Sequence, residues 1–166
     1  MNALKISNDE RVFNTLNKYG VPFVVIGGHA VFYHGYQRVT QDIDIVWQRT
    51  AETENQLHLA LLELNAVWIS KVLDPSSGFE KTHPITLRYV QSHHKLMLWA
   101  GDGPLDLFDH VPGLPNGNVE TLFATAIDVC GIRIVSLNLL REMKVASGQL
   151  RDLADLEELA KIHPAE

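Results

Sequence analysis

Residues 25–47 read VIGGHAVFYHGYQRVTQDIDIVW, and the fold turns on how the two halves of this stretch relate. The first half closes an apolar, β-branched run over 23–26 that reads as a buried strand. It stops at Gly27-Gly28, and residues 29–34 follow as a short helix. A polar linker over 35–41 holds Arg38 and Thr40, and a second strand then runs from Asp42 to Trp47. Strand side chains alternate between faces, so Asp42 and Asp44 share one face while Ile43 and Ile45 share the other. Two carboxylates that close repel one another, and partial burial sharpens the repulsion. A divalent cation turns that penalty into attraction. A hard ion such as Mg²⁺ needs only one or two carboxylates besides waters and substrate phosphates.

An isolated Asp-x-Asp is ordinarily the wetted face of an edge strand. Here the pair has company. Glycines placed directly after a strand let a backbone approach a phosphate closely, and the N–H groups that open a helix favour an anion. A third acid, Asp106, lies between Leu105 and Leu107 in a short strand over 105–108. If that strand runs beside 42–47, three carboxylates meet on one face, as in a two-metal phosphoryl-transfer site. Asp106 would then also be placed to take a proton from an attacking hydroxyl. Asp102 and Asp109 compete for this role from more loop-like sequence.

Around this centre the spacing predicts a single α+β domain. Ser7 and Glu10 have the spacing of a capping box, and Val12, Phe13, Leu16 and Tyr19 continue as a helix ended by Gly20 and Pro22. A second amphipathic helix starts at 53 or 54 and ends at 64. Residues 74–84 read as loop, and strands are expected over 85–90, 95–99 and 132–135. Residues 113–118 are loop and 119–126 a short helix. Ser136 caps a helix that Gly148 breaks, and a last helix runs from about 152 to 162. The expected division is a catalytic α/β core over 1–135 with C-terminal helices over 136–166.

Bulk composition narrows the function. The 166 residues carry a net charge of −6, which counts against sequence-independent binding of long nucleic acid. A local basic patch from Lys81, Arg88, Lys95, Arg141 and Lys144 would be needed for an RNA acceptor. Cys130 is the only cysteine, so an intrachain disulfide is excluded. No apolar run approaches the ~18 residues of a membrane span, and a cytoplasmic location is the expectation.

The arrangement Gly27-Gly28, thirteen intervening residues, Asp42-Ile43-Asp44 and a later strand acid resembles the DNA polymerase β-type nucleotidyltransferase superfamily. Arg38-x-Thr40-x-Asp42-Ile43-Asp44 is similar to a form found in small bacterial members, including abortive-infection-type toxins of toxin–antitoxin systems. The likeness extends to Leu137…Lys144 and to Arg151-Asp152-x-x-Asp155. It implies a minimal polymerase β-like fold, a mixed sheet flanked by helices with the acids at one edge of the active face. It further implies transfer of a nucleoside monophosphate from a triphosphate such as ATP to an RNA end, a protein hydroxyl or a small molecule, with release of pyrophosphate. Gly27 and Gly28 would cradle the triphosphate, and Asp42, Asp44 and Asp106 would be both catalytic and ligands to Mg²⁺ or Mn²⁺. Arg38 or Lys144 would neutralise phosphate charge, and a cognate antitoxin would be a partner. Val46-Trp47-Gln48 departs from the extra acid that drug-modifying members carry at this point. A non-catalytic nucleotide-sensing or partner-binding module with the same fold is the alternative, and a phosphohydrolase using the same acids is a third.

The remaining conspicuous residues read as structural. His93-His94 is expected in an exposed turn, and His29 and His34 as packing or helix-surface residues. Trp47, Trp68 and Trp99 are expected in the core, and Cys130 as a small buried group. Asp155, Glu157 and Glu158 are expected on a solvated helix face.

Overall fold

The structure, a computed structural model, describes residues 7–164. Its spine is a mixed sheet of eight strands in the order β4-β3-β5-β6-β2-β1-β8-β7. Strand β1 (Phe23–Ile26) is buried at every position, as an interior strand of continuous apolar residues should be. It pairs antiparallel with β2 (Ile43–Trp47), placing Ile26 opposite Asp44. Helix α1 (Asn8–Lys18) precedes β1, and Ser7 N–H donates to Glu10 Oε2 at 3.3 Å, the back-bond expected of the capping box. Helix α2 (Gly27–Tyr33) follows β1 without a loop, so Ile26 ends the strand and Gly27 starts the helix.

Beyond β2, Thr50 caps α3 (Ala51–Glu63), which therefore begins two or three residues earlier than its apolar pattern suggests. The next segment departs most from expectation. Residues 67–73 form β3 (Val67–Leu73), and the expected loop contains its antiparallel partner β4 (Glu80–Pro84). Residues 85–90, expected as a strand, instead lead into helix α4 (Leu87–Ser92). Thr86 caps that helix by accepting from Tyr89 N–H at 3.1 Å, and Tyr89 then stacks on Trp68. Local capping and one ring contact override the β-branched composition.

Strands β5 (Lys95–Ala100) and β6 (Gly103–Phe108) form a hairpin. Strand β6 then lies parallel to β2 with Asp106 level with Asp44. Helix α5 (Val119–Thr125) is as expected, and the strand expected over 132–135 proves to be half of a second hairpin, β7 (Ile127–Val129) and β8 (Ile132–Ile134). Cys130, expected to be buried, is exposed at the tip of that hairpin. It and Gly131 have φ of 54° and 82°, the pair of positive values a two-residue hairpin turn requires. Helices α6 (Leu137–Ser147) and α7 (Leu150–Ile162) close the chain, separated by Gly148 in the left-handed conformation.

The two strands that carry the acids are not at an edge. They occupy the middle of the sheet, with β1 and β5 as outer neighbours. On the opposite side, Ile43, Ile45, Leu105 and Leu107 are buried in the main core. The acids are thus held from behind by packed side chains. Among the described residues, no helix is long and apolar enough to cross a membrane.

Candidate active site

Register brings the acids together. Asp44 and Asp106 are partners across β2 and β6, so their side chains leave the same face of neighbouring strands, while Asp42 immediately precedes β2. All three line one cleft of about 490 Å³, whose wall also includes Gly27, Gly28, Arg38 and Lys144. Every residue singled out in the sequence as catalytic or nucleotide-binding therefore faces one space.

Asp44 is the strained member. Burial, then the negative charges of Asp106 and Asp42, push its carboxyl up to about 7, against a weaker opposing pull from Lys95 and Lys144. Gly27 is fitted to it. A Cβ at that position would overlap the Asp44 carboxylate, and the backbone there has φ +63°. A Cβ at Gly28 would overlap the Thr40 hydroxyl and lie 3.2 Å from an Arg38 guanidinium nitrogen. Gly27→Ala is therefore expected to displace Asp44 and lower turnover by about 10². Circular dichroism should still show a folded chain, since the strain of a left-handed alanine is only about 1–2 kcal/mol.

The donor set suits a hard divalent cation: oxygen ligands only, one of them half-buried and repelled by its neighbours. The acids do not form a closed cage, because no cluster of three metal-ligating side chains is assembled among the described residues. Lys95 Nζ takes one Asp106 oxygen at 3.0 Å and lies 5.0 Å from the centre of the Phe108 ring. An ion that keeps waters and adds substrate phosphates does not need a closed cage, so the fit holds for Asp42 and Asp44.

The cations expected to meet phosphate are already engaged. Arg38 donates to Asp155 through Nε at 2.6 Å and a second nitrogen at 2.8 Å. Lys144 Nζ reaches Asp155 at 2.7 Å and Asp152 at 2.6 Å. Asp155 is only 1% exposed, so it is no part of a solvated helix face. It shares the inward row of α7 with Leu159, four residues on, whereas Glu157 lies exposed off that row. That i, i+4 spacing was the signal available in the sequence. Burial opposes ionisation of Asp155, but its bonds to Arg38 and Lys144 outweigh it and hold the carboxyl below its usual value.

Lys81, Arg88 and Arg141 do not line the cleft, so only Lys95 and Lys144 of the expected basic patch contribute. Asp109 is excluded as the third acid. It receives Arg49 Nε at 2.7 Å and His94 Nδ1 at 2.7 Å and lies outside the cleft wall. His29 is buried and donates from Nδ1 to the Asp42 carbonyl at 3.1 Å, steadying the entry to β2. His34 donates to the Val135 carbonyl at 2.8 Å, so both helix histidines are packing residues.

No family profile and no curated protein sequence matches the chain. Solved structures do. The antibiotic-resistance factor ANT(2'')-Ia in solution superposes with a TM-score of 0.59 at 13% identity, covering 97% of this chain and 85% of that one. The crystal structure of ANT(2'')-Ia with adenylyl-2''-tobramycin gives 0.54 at 13% identity, over 92% and 86%. This chain has the polymerase β-type nucleotidyltransferase fold. A presumptive nucleotidyltransferase from Helicobacter pylori matches with a TM-score of 0.51 at 16% identity. The chain spans about two thirds of the length of the Helicobacter pylori structures it matches, 66% of one and 70% of the other. At these identities the likeness establishes the fold; chemistry must be read from the cleft.

Proposed function

We propose that the chain is a metal-dependent nucleotidyltransferase that moves a nucleoside monophosphate from a nucleoside triphosphate to an acceptor hydroxyl. The observation that carries this reading is the level pairing of Asp44 with Asp106 on neighbouring central strands, under a Gly27 that leaves no room for a side chain. The bare Gly27–Gly28 backbone forms the cleft wall against which the triphosphate lies. Asp42 and Asp44 would hold Mg²⁺ or Mn²⁺, which neutralises charge on the phosphates when bound. Asp106 accepts the proton of the acceptor hydroxyl. The hydroxyl oxygen forms a bond to the α-phosphorus, the bond from that phosphorus to the bridging oxygen breaks, and pyrophosphate leaves with the electron pair. Lys95 meets one Asp106 oxygen at 3.0 Å and holds that carboxylate at the cleft wall. Arg38 and Lys144 flank the cleft with positive charge, held in place by α7.

The test is pyrophosphate release from each of the four nucleoside triphosphates with Mg²⁺ or Mn²⁺ and a cell extract as acceptor source. Release by wild type but not by the Asp42→Asn/Asp44→Asn double variant is the expected result. The nucleotide-sensing alternative is favoured by one observation, that Arg38, Lys95 and Lys144 are each paired with a carboxylate already. Metal-dependent nucleotide binding with no release from either protein would establish that alternative. A toxin role accords with the abortive-infection-type motif, and growth arrest on expression that the double variant relieves is its readout.

A further inference from the structure

Charge on the cleft wall is unevenly paired. The wall carries four carboxylates, Asp42, Asp44, Asp106 and Asp152, and four cations, Arg38, Lys95, Lys144 and Arg151. Arg38 is held by Asp155, Lys95 by Asp106, and Lys144 by Asp152 and Asp155. Arg151 is exposed and, among the described residues, is the one cation of the wall without a carboxylate partner.

Its place in the fold gives no structural reason for the charge. Arg151 is the second residue of α7, and the first turn of a helix favours acidic side chains over cations. Asp152, next in the chain, suits that end of the helix and binds Lys144; Arg151 does neither. A local rule broken without a compensating contact marks a functional position.

The two sides of the cleft differ in what they offer a phosphate. On one side β5 continues the face of the acids, but beyond Lys95 that face of the strand turns apolar. Met97 is 59% exposed there and Trp99, expected in the core, 45%. On the other side Arg38 borders the space over Gly28 and is tied to Asp155 of α7, and Lys144 is tied to the same helix. Positive charge therefore runs from the Gly27–Gly28 backbone to the start of α7, where Arg151 ends the row.

We propose that Arg151 binds the β- and γ-phosphates of the nucleoside triphosphate, so that it selects the triphosphate and receives the leaving pyrophosphate. This rests on the nucleotidyltransferase reading. When the bond between the α-phosphorus and the bridging oxygen breaks, pyrophosphate keeps the electron pair. A guanidinium with no other anion is free to neutralise that charge. Its planar fork takes two phosphate oxygens at once, which the point charge of a lysine does not. Because Arg38, Lys95 and Lys144 share their charge with carboxylates, the dependence on phosphate number falls chiefly on Arg151.

Equilibrium binding tests this without turnover. Wild type, Arg151→Lys and Arg151→Ala are titrated in Mg²⁺ with the α,β-methylene analogue of a nucleoside triphosphate and, separately, with the corresponding monophosphate. Triphosphate affinity should fall roughly 10- to 100-fold in Arg151→Ala and less in Arg151→Lys. Monophosphate affinity should be the same in all three. Thermal unfolding separates binding from packing: Arg151→Ala should melt no lower than wild type, because it removes a cation from a helix N-terminus. Three results would overturn the proposal: unchanged triphosphate affinity in Arg151→Ala, an equal fall for the monophosphate, or a lower melting temperature in that variant. Absence of triphosphate binding by wild type would fault this proposal and the nucleotidyltransferase reading together. Pyrophosphate release by Arg151→Ala with no rise in KM for the triphosphate would fault Arg151 alone. Arg151-dependent binding with no release by wild type would uphold Arg151 as a triphosphate ligand and fault the transfer step alone.

Discussion

In chelator, Asp44→Asn is expected to be more stable than wild type, yet to lose nucleotidyl transfer by on the order of 10³ or more once metal is restored. The stability half follows from the carboxyl whose folded value is pushed up to about 7 from 3.8. Between those two pH values the folded chain holds a proton that the unfolded chain has released. Stability therefore falls as pH rises through this window, and the deficit is complete above about 7. Its size is at most about 4 kcal/mol. Asparagine has no charge to desolvate, so the variant's stability should be flat across the same window. Urea unfolding of both proteins at pH 5 and pH 8 measures the difference. Added Mg²⁺ should raise wild type at pH 8 and leave the variant nearly unmoved, because a ligand of the native state stabilises in proportion to its binding. A variant less stable than wild type at pH 8 would show that Asp44 is held by attractive contacts and not strained by its neighbours.

This conflict between stability and the proposed chemistry is also why the residues of the candidate site stood out in the sequence. Two acids among Ile43, Ile45, Val46 and Trp47 violate the apolar pattern of an interior strand, and such a violation persists where chemistry requires it. The same logic found Asp106 between two leucines. What single-sequence reading could not supply was register. Only the pairing of β2 with β6 makes Asp44 and Asp106 neighbours, and only the pairing of β5 with β6 shows that Lys95 and Met97 leave the same face of the sheet as the acids. Strands β3 and β4 were missed for a related reason. Strand β4, Glu-Lys-Thr-His-Pro, has no apolar alternation and exists because an outer strand has only one neighbour to satisfy. Trp99 was misplaced because tryptophan is usually core, and no local pattern distinguishes an interior strand that is covered on both faces from one left bare on a single face.

The second large effect lies at Asp155. Arg38 and Lys144 bring two positive charges to the cleft wall, and the nearly inaccessible Asp155 holds both. Asp155→Asn leaves Arg38 without its bidentate partner and Lys144 with Asp152 alone, and breaking a buried pair from one side costs about 3–5 kcal/mol. For a chain of this size that lowers the melting temperature by roughly 6–20 °C. By contrast Glu158→Gln, which removes the exposed pair with Lys161, should change it little, since surface pairs contribute about 0–1 kcal/mol. The pH dependence has the opposite sign to that of Asp44. The Asp155 carboxyl is held below 3.8, so its stabilisation is fully present above that pH and is lost only as pH falls through the depressed folded value. In chelator, wild type is thus weakened from the acid side by Asp155 and toward neutral pH by Asp44, and each variant should remove one limb of the profile. The double variant Arg38→Met/Asp155→Leu separates structure from chemistry. A buried pair replaced by apolar residues of similar size commonly recovers the stability that the single change loses. If Arg38 also meets the triphosphate, stability returns in the double variant while the affinity for Mg²⁺-nucleoside triphosphate does not. Recovery of both would assign Arg38 to holding α7 against the sheet and would leave Lys144 as the cleft's phosphate cation.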